Sequence, residues 1–534
     1  MSIIKLFFRA LSEKERLVLI IAGGIFVLSI TSRFALAFQE SSVWVPVEGG
    51  SYREGVVGQP VAVNPVISDN QIDQDISRLV YSSLYDITEN YEVKDDGRTY
   101  ILKLKEDVLW SNGRTVTSDD VIFTIDTIQD KDSRSPYAAS WQGVVAERLS
   151  EVRVSLALPA PYAYFTENMK RLFIIPVHIF GNIPAANIRL SAYNLEPVGS
   201  GPYQFHSFTK RKDGFISSYR LEANENYYGE KPFIKDFYFI FYENSDKLLQ
   251  DFKLRRVDGT GSLIPINREL IPSSANVNFI PMPGYYAVFF NATLNPDLKD
   301  KDLREALDIG TNKRAIIEEV LKNGGEAVTG PLGRFGDIDE SAYNPEKARE
   351  EIKSLKKESI ELTLITPNIE FLTKTATTIK ENWLSIGIDK VNIITPPPGE
   401  FMEGVIKTSN YEMVLFGNVL EHPLDLFPFW HSSQRFSPGL NLSLYKNAKV
   451  DTLIEKVRQT EDEEERVELA KGAEELIVDE IPAIFLYSIP YTYAYNSELE
   501  GFGFAEGSDE FMVSPSDRFR HVNEWHVSKV RVLK

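Results

Sequence analysis

Histidine, cysteine, serine and carboxylate side chains carry most protein chemistry, and their spacing here excludes more than it offers. The six histidines are His178, His206, His422, His431, His521 and His526. None stands four residues from another, so no helix face presents a metal-binding pair. His422 and His431 are nine residues apart, which is not a shared helix face, and they read as polar residues of a loop. There is no cysteine, which removes disulfides, thiolate nucleophiles and Cys-ligated metal sites. The loop Val198-Gly199-Ser200-Gly201-Pro202 puts a serine between glycines, but it is not G-x-S-x-G and so makes no nucleophile elbow. It lacks a following Lys-Thr and so makes no phosphate-binding loop. Its glycines permit positive φ and Pro202 fixes its own, which reads as a turn leading into the strand begun by Tyr203, Phe205 and Phe208.

The elements that would position any site alternate between helix and strand. Ile76, Leu79, Val80 and Leu84 recur at helical spacing. Tyr100, Leu102 and Leu104 alternate with Ile101, Lys103 and Lys105 as in a strand. Thr117 and Asp120 form a capping box ahead of Val121, Ile122 and Ile125. A strand-rich zone is expected from about 150 to 290. Helices are expected at Leu303–Lys322, Glu346–Lys356, Thr373–Ile386 and twice between Val450 and Asp479, separated by strands such as "IELTLIT" and "YEMVLFG". "EDEEER" (Glu461–Arg466) reads as a solvated helix start and "TPPPGEF" (Thr395–Phe401) as a rigid loop. "AIFLYSIPYTYAYN" reads as strand, with Tyr491, Tyr493 and Tyr495 on one face. The class is α/β, with helices covering sheets.

A chain of 534 residues exceeds a single hydrophobic core, so two or three domains are expected. Apolar residues at 43% and charged residues at 25% are globular values. The net charge of -19 argues against nucleic acid as a partner. Near the N-terminus, "LVLIIAGGIFVLSITS" (Leu17–Ser32) carries no charge, and apolar character resumes after Arg33 as "FALAF". Counted to Phe38, the span approaches the ~20 residues that a bilayer requires. Lys5, Arg9, Lys14 and Arg16 precede it, which places the first residues in the cytoplasm and the rest outside. Ala35-Leu36-Ala37 has the form of a signal-peptide cleavage site, but Arg33 between it and the apolar run favours an uncleaved anchor. Residues 1–40 are therefore read as a cytoplasmic stub with a transmembrane anchor or signal segment.

Six blocks, in order, carry a family resemblance. "EPVGSGPYQF" resembles the "NPVGTGPYKF" segment of the family 5 extracellular solute-binding proteins, the receptors of peptide, dipeptide and nickel ABC importers. "DGRTYILKLKEDVLWSNGRTVTSDDVIFTID" (from Asp96), "LEANENYYGEKPF" (from Leu221), "KDLREALDIGTNKRAII" (from Lys301), "YNPEKA" (from Tyr343) and "NLSLYKNAKVDTLI" (from Asn441) are similar to its other conserved blocks. The resemblance spans about residues 49 to 500.

It implies a two-lobed periplasmic-binding-protein-like fold of type II with an extra subdomain on lobe one, behind the N-terminal transmembrane helix. Lobe one would comprise 43–75, 196–285 and 490–534, the extra subdomain 76–195 and lobe two 286–489. The lobes would be joined near Tyr286–Asn291 and Tyr487–Tyr493. The implied function is capture of an oligopeptide-like ligand between the lobes and delivery to ABC permease subunits in the membrane. No catalysis, cofactor or metal is implied, and the chain is expected to be a monomer. The implied ligand contacts are Tyr285, Tyr286, Asn291, Phe416, Val419, Glu421, Trp430, Tyr445, Tyr487 and Tyr491, with Trp141 as a weaker candidate. Val419 stands where peptide-binding members place the Asp that pairs with the ligand's ammonium. A valine cannot make that pair, so Glu421 or Asp425 must substitute, or the ligand must be held otherwise. Two alternatives remain at this level. One is a membrane-tethered sensing module of the same fold without transport. The other is an extracytoplasmic hydrolase, for which no catalytic motif is present.

Overall fold

A computed structural model describes residues 12–264, 270–333, 343–504 and 512–533. It opens with one helix, Glu13–Glu40, whose stretch Glu13–Phe34 is long and apolar enough to cross a membrane and is not buried against the rest of the chain. Two large sheets follow.

The first has seven strands, in the order Ala275–Ile280, Tyr491–Asn496, Gly259–Ser262, Ser51–Val57, Asp236–Tyr242, Ile216–Ala223 and Tyr203–Lys210. It gathers segments far apart in sequence. Ser51–Val57 runs parallel to both Asp236–Tyr242 and Gly259–Ser262, whereas Tyr491–Asn496 is antiparallel to its two neighbours. Glycine in Gly259–Ser262 gives tyrosines room: a Cβ on Gly259 would lie 1.9 Å from the Tyr52 hydroxyl, and one on Gly261 would lie 1.9 Å from that of Tyr491.

The second sheet has six strands, in the order Glu326–Ala327, Ala483–Ser488, Gly284–Phe290, Met413–Val419, Glu361–Ile365 and Lys390–Ile394. Its central strands are almost wholly apolar because both faces are covered. Along Gly284–Phe290 the period of two sorts the side chains. Val288 and Phe290 enter a core with Leu362, Met413 and Trp383, under the helices Lys301–Ile309, Pro345–Ser354 and Glu370–Ile386. Tyr285, Ala287 and Phe289 enter a second core under the helical hairpin Ala448–Gln459 and Glu463–Glu480. The helix expected over Leu303–Lys322 is broken at Gly310-Thr311, where Asn312 caps a new turn by accepting from Ala315 N.

A four-stranded sheet, Thr88–Lys94, Thr99–Leu104, Arg153–Ala157 and Val145–Ser150, packs with the helix Ser118–Gln129 and shares a continuous core with the seven-stranded sheet. Between Phe165 and Asn194 the expected strands are replaced by short helices and 3-10 turns.

The chain passes between the large sheets twice. Pro281-Met282-Pro283 joins Ala275–Ile280 to Gly284–Phe290, and Ile489-Pro490 joins Ala483–Ser488 to Tyr491–Asn496. The first passage falls ahead of the expected Tyr286–Asn291, because Tyr286 is already paired with Gly417 and Tyr487.

The Val198–Pro202 loop crosses the end of the helix Gln71–Val80. Gly201 N donates to the Val80 carbonyl at 2.8 Å, and a Cβ on Gly199 would lie 1.9 Å from that oxygen. Neither glycine has positive φ. Glycine is needed for backbone proximity rather than for the left-handed geometry expected, and Ser200 Oγ is buried.

Candidate functional site

The site lies beside the first passage, whose carbonyls hold the segments leading to Glu421 and Val513. Pro283 O accepts from Leu420 N at 2.7 Å, and Pro281 O accepts from Met512 N at 2.9 Å. The connector thus braces two segments against one another: the loop after Met413–Val419 and the C-terminal turn Pro515–Phe519.

That turn is held by a buried ion network. Arg518 donates through Nη1 and Nη2 to the Asp75 carboxylate at 3.0 and 2.6 Å, and through Nε and Nη2 to Glu54 Oε1 at 3.1 and 2.9 Å. Tyr493 donates its hydroxyl to Glu54 Oε2 at 2.7 Å. All three charged side chains are at most 2% exposed. Burial pushes the Glu54 carboxyl up, opposed by the Arg518 guanidinium. The triad joins a strand, a helix and the C-terminal turn, so it sets where Val513, Ser514 and Asp517 stand.

These residues form one wall of a cavity of about 200 Å³. Arg78, Tyr137 and Arg171 form the second wall, and Glu421 reaches in from the six-stranded-sheet side. A pocket of about 420 Å³ shares Arg78, Arg171, Glu421 and Asp517 and extends to Lys170, His422 and Arg520. Together they reach the size range of small-ligand sites. The lining is charged in both signs. Arg171 donates through Nη2 to the Glu421 carbonyl, and its Nη1 lies 3.8 Å from Glu421 Oε2. Glu421 keeps 64% side-chain exposure, so that carboxylate has room for another cation. Such a cleft offers guanidinium to a carboxylate and carboxylate to an ammonium.

Beside the cavity the halves are fastened. Ala163 N donates to Arg458 O at 2.7 Å. Arg458 clasps Asp425 with bonds of 2.9 and 2.7 Å, and the Tyr162 hydroxyl reaches the same carboxylate at 3.4 Å. Tyr164, from the segment after the four-stranded sheet, is 3% exposed within the core of the six-stranded sheet. Its ring stacks on His422 with centroids 3.8 Å apart. Burial pushes the His422 imidazole down to about 4, and Leu424 N donates to its Nδ1 at 3.3 Å.

Of the ligand contacts expected from sequence, Glu421 lines the cavity, and Val419 is 51% exposed at the end of the strand paired with Gly284. The others are placed in packing. Tyr285 is 1% exposed, its hydroxyl accepting from Trp430 Nε1 at 2.9 Å and Asn418 Nδ2 at 3.1 Å. Tyr487 is buried with its hydroxyl 3.1 Å from Thr375 Oγ1, and Tyr286 packs between Tyr487 and Phe371. Asn291 holds Ser409 O, Phe416 packs on Phe401, Tyr445 on Trp430, and Tyr491 stacks on Tyr493. Trp141 packs on Phe165, next to the cavity, in a small recess shared with Tyr137 and Arg171. Asp425 is occupied by Arg458. His431 lies near Asp451 and Glu455. Among the described residues no cluster of three His, Cys, Asp or Glu is placed to hold a metal ion.

Arg78, Arg171, Tyr137 and the Val513–Asp517 wall were not legible beforehand. Arg78 did lie off the apolar stripe of its helix, which was the only signal.

Comparison with known proteins gives the family and the fold. The model of the middle region of the bacterial extracellular solute-binding proteins, family 5, matches residues 85–436. The chain belongs to the family 5 bacterial extracellular solute-binding proteins. This is a family of binding proteins, not of enzymes. The chain is 24% identical to the oligopeptide-binding protein AppA of Bacillus subtilis, over 89% of this chain and 92% of that one. The crystal structure of the substrate-binding protein CtaP of Listeria monocytogenes matches with a TM-score of 0.76 at 23% identity, covering 90% of this chain and 99% of that one. AppA of Bacillus subtilis in complex with a nonapeptide matches with a TM-score of 0.72 at 23% identity, covering 91% and 100%. The two-lobed α/β fold of these periplasmic-binding-protein-like structures is the fold of this family 5 member.

Proposed function

We propose that this family 5 member is a membrane-anchored receptor that captures a peptide-like ligand between its lobes and delivers it unchanged to an ABC permease. The observation that carries the reading is the cavity itself: it is lined from both sides of the interlobe passages and is charged in both signs at Arg78, Arg171, Glu421 and Asp517. A zwitterionic peptide presents the complementary pair of charges. Glu421 supplies the carboxylate for the ligand ammonium, in place of the acidic residue that Val419 lacks. Arg171 is the nearest guanidinium for a ligand carboxylate or carbonyl. Closure removes both from water and strengthens each contact. The lobes hinge at Pro281–Pro283 and Ile489-Pro490, and the Tyr164–His422 contact marks the closed arrangement. The helix Glu13–Glu40 tethers the receptor to the outer face of the membrane. No ligand bond is broken in this reading, so the chain acts as a receptor rather than an enzyme.

Native mass spectrometry of the protein purified without denaturation tests this. Co-purified peptides released on unfolding are expected. Finding only sugars or metal chelates would remove the peptide assignment.

A further inference from the structure

Ser42–Pro46 and Lys529–Leu533 pair as an antiparallel two-stranded ribbon that belongs to neither large sheet. Such a ribbon, with no third strand and no covering helix among the described residues, is at best marginal in water. Its register puts Val43 opposite Val532 and Val45 opposite Val530, so these four valines share one face. They are 40%, 42%, 37% and 46% exposed. The other face carries Trp44, 56% exposed, directly opposite Arg531, with the Lys529 ammonium 5.6 Å and the Arg531 guanidinium 5.4 Å from the indole centroid. An apolar face backed by an aromatic ring and cations is unlike an ordinary solvated edge strand, which is protected by charge on its faces.

The ribbon is also fixed in place. It starts two residues after the helix Glu13–Glu40 ends, and Arg531 Nη2 donates to Gln39 O at 3.1 Å. If the apolar run to Phe38 fills the hydrocarbon, Ser42 lies about 6 Å beyond it at the helical rise, inside the headgroup layer. Trp, Lys and Arg are the side chains that settle at that depth.

We propose that this ribbon is a lipid-docking platform. Its valine face rests on the boundary between headgroups and acyl chains, and Trp44 with Lys529 and Arg531 lies level with the phosphates. The C-terminal strand thereby makes a second attachment, so the lobe it leaves is held at a set orientation to the membrane rather than swinging on a tether. This rests on the reading of Glu13–Glu40 as an anchor.

The chain has no cysteine, so a single introduced cysteine is a unique label. Full-length Val530→Cys, Leu28→Cys and Leu190→Cys variants would each carry an environment-sensitive fluorophore, in nanodiscs of phosphatidylethanolamine and phosphatidylglycerol. A doxyl quencher high on the acyl chain and aqueous iodide report the two surroundings. The expected result is loss of Val530 emission with the lipid quencher and little with iodide, while Leu190, 82% exposed, behaves oppositely. Quenching at Leu28 with none from lipid at Val530 would overturn the platform and leave the anchor. In that outcome, iodide access at Val530 means a solvated ribbon, and iodide protection means that a second copy covers it. No lipid quenching at Leu28, or cleavage that removes it, would overturn the anchor and the platform together.

Discussion

The rings of Tyr164 and His422 lie face to face, 3.8 Å apart between centroids and 26° from parallel, across the boundary between the helix-rich segment after the four-stranded sheet and the loop after Met413–Val419. The contact is stacking on an imidazole, a group that in water protonates near pH 6.5. Its neighbours divide in their effect on the imidazole: Asp425 and Glu167 favour the proton, whereas Arg466 and Arg171 oppose it. Burial is the largest influence and keeps the ring neutral.

Closure should therefore depend on pH. His422 is pushed from 6.5 to about 4 in the structure, which the proposed function takes as the closed form. The open form binds the proton more readily, so closure is fully stabilised above pH 6.5 and weakens as pH falls toward 4, by about 3 kcal/mol at the limit. Ligand affinity measured by calorimetry near pH 7 and near pH 5 should drop across that window. The drop should shrink in His422→Asn. Equal pH dependence in the variant would place the titrating group elsewhere.

Arg518→Met should cost about 3–5 kcal/mol of stability, because Glu54 and Asp75 remain buried as unpaired carboxylates. Glu54→Gln should cost less. It keeps the Arg518–Asp75 pair, and burial already disfavours the charge on Glu54. Chemical denaturation of the two variants gives the order, and the reverse order would contradict the network as described.

Gly199→Ala should destabilise by about 1–3 kcal/mol or more, because its Cβ would meet the Val80 carbonyl at 1.9 Å. Gly399→Ala meets nothing within 4 Å and should be nearly neutral. Similar melting temperatures for the two variants would show that the crossing is looser than described.

Glu421→Gln should weaken binding of peptides with a free N-terminus about 10- to 100-fold, the loss of a charge-assisted hydrogen bond. N-acetylated peptides should bind the variant and the parent alike. Unchanged affinity for free peptides would remove Glu421 from ammonium recognition.

Local chemistry explains what the sequence made legible. The Thr117–Asp120 capping box, the alternation at Tyr100, Leu102 and Leu104, the helix expected at Thr373–Ile386 and the two expected between Val450 and Asp479 follow from periodicity and caps, and all are found, the first of these helices starting earlier, at Glu370. The alternation in "AIFLYSIPYTYAYN" gave strands; that the chain changes sheets at Ile489-Pro490, within the crossing expected near Tyr487–Tyr493, came from the family resemblance and not from the pattern, because it is decided by pairing with distant segments. The aromatic residues illustrate the main difficulty. Tyr285, Tyr487 and Trp430 have the same amphipathic chemistry in a ligand wall and in a core where each polar tip finds a partner, and here the tips are partnered inside. Arg78, Arg171 and Asp517 come from separated segments that meet only on folding, so no spacing announces them.

In the proposed function two bodies shut over a ligand by hinging at Pro281–Pro283 and Ile489-Pro490. In the structure a Cβ on Gly97 would be 3.6 Å from Glu461 Oε1, so the neighbouring exposed positions Asp96 and Glu464 would report the proposed closure. With spin labels on cysteines at these two sites, pulsed electron–electron resonance should show longer distances in ligand-stripped protein. The distribution should collapse to the short closed distance when a peptide library is added. A distribution that no peptide changes would contradict the account.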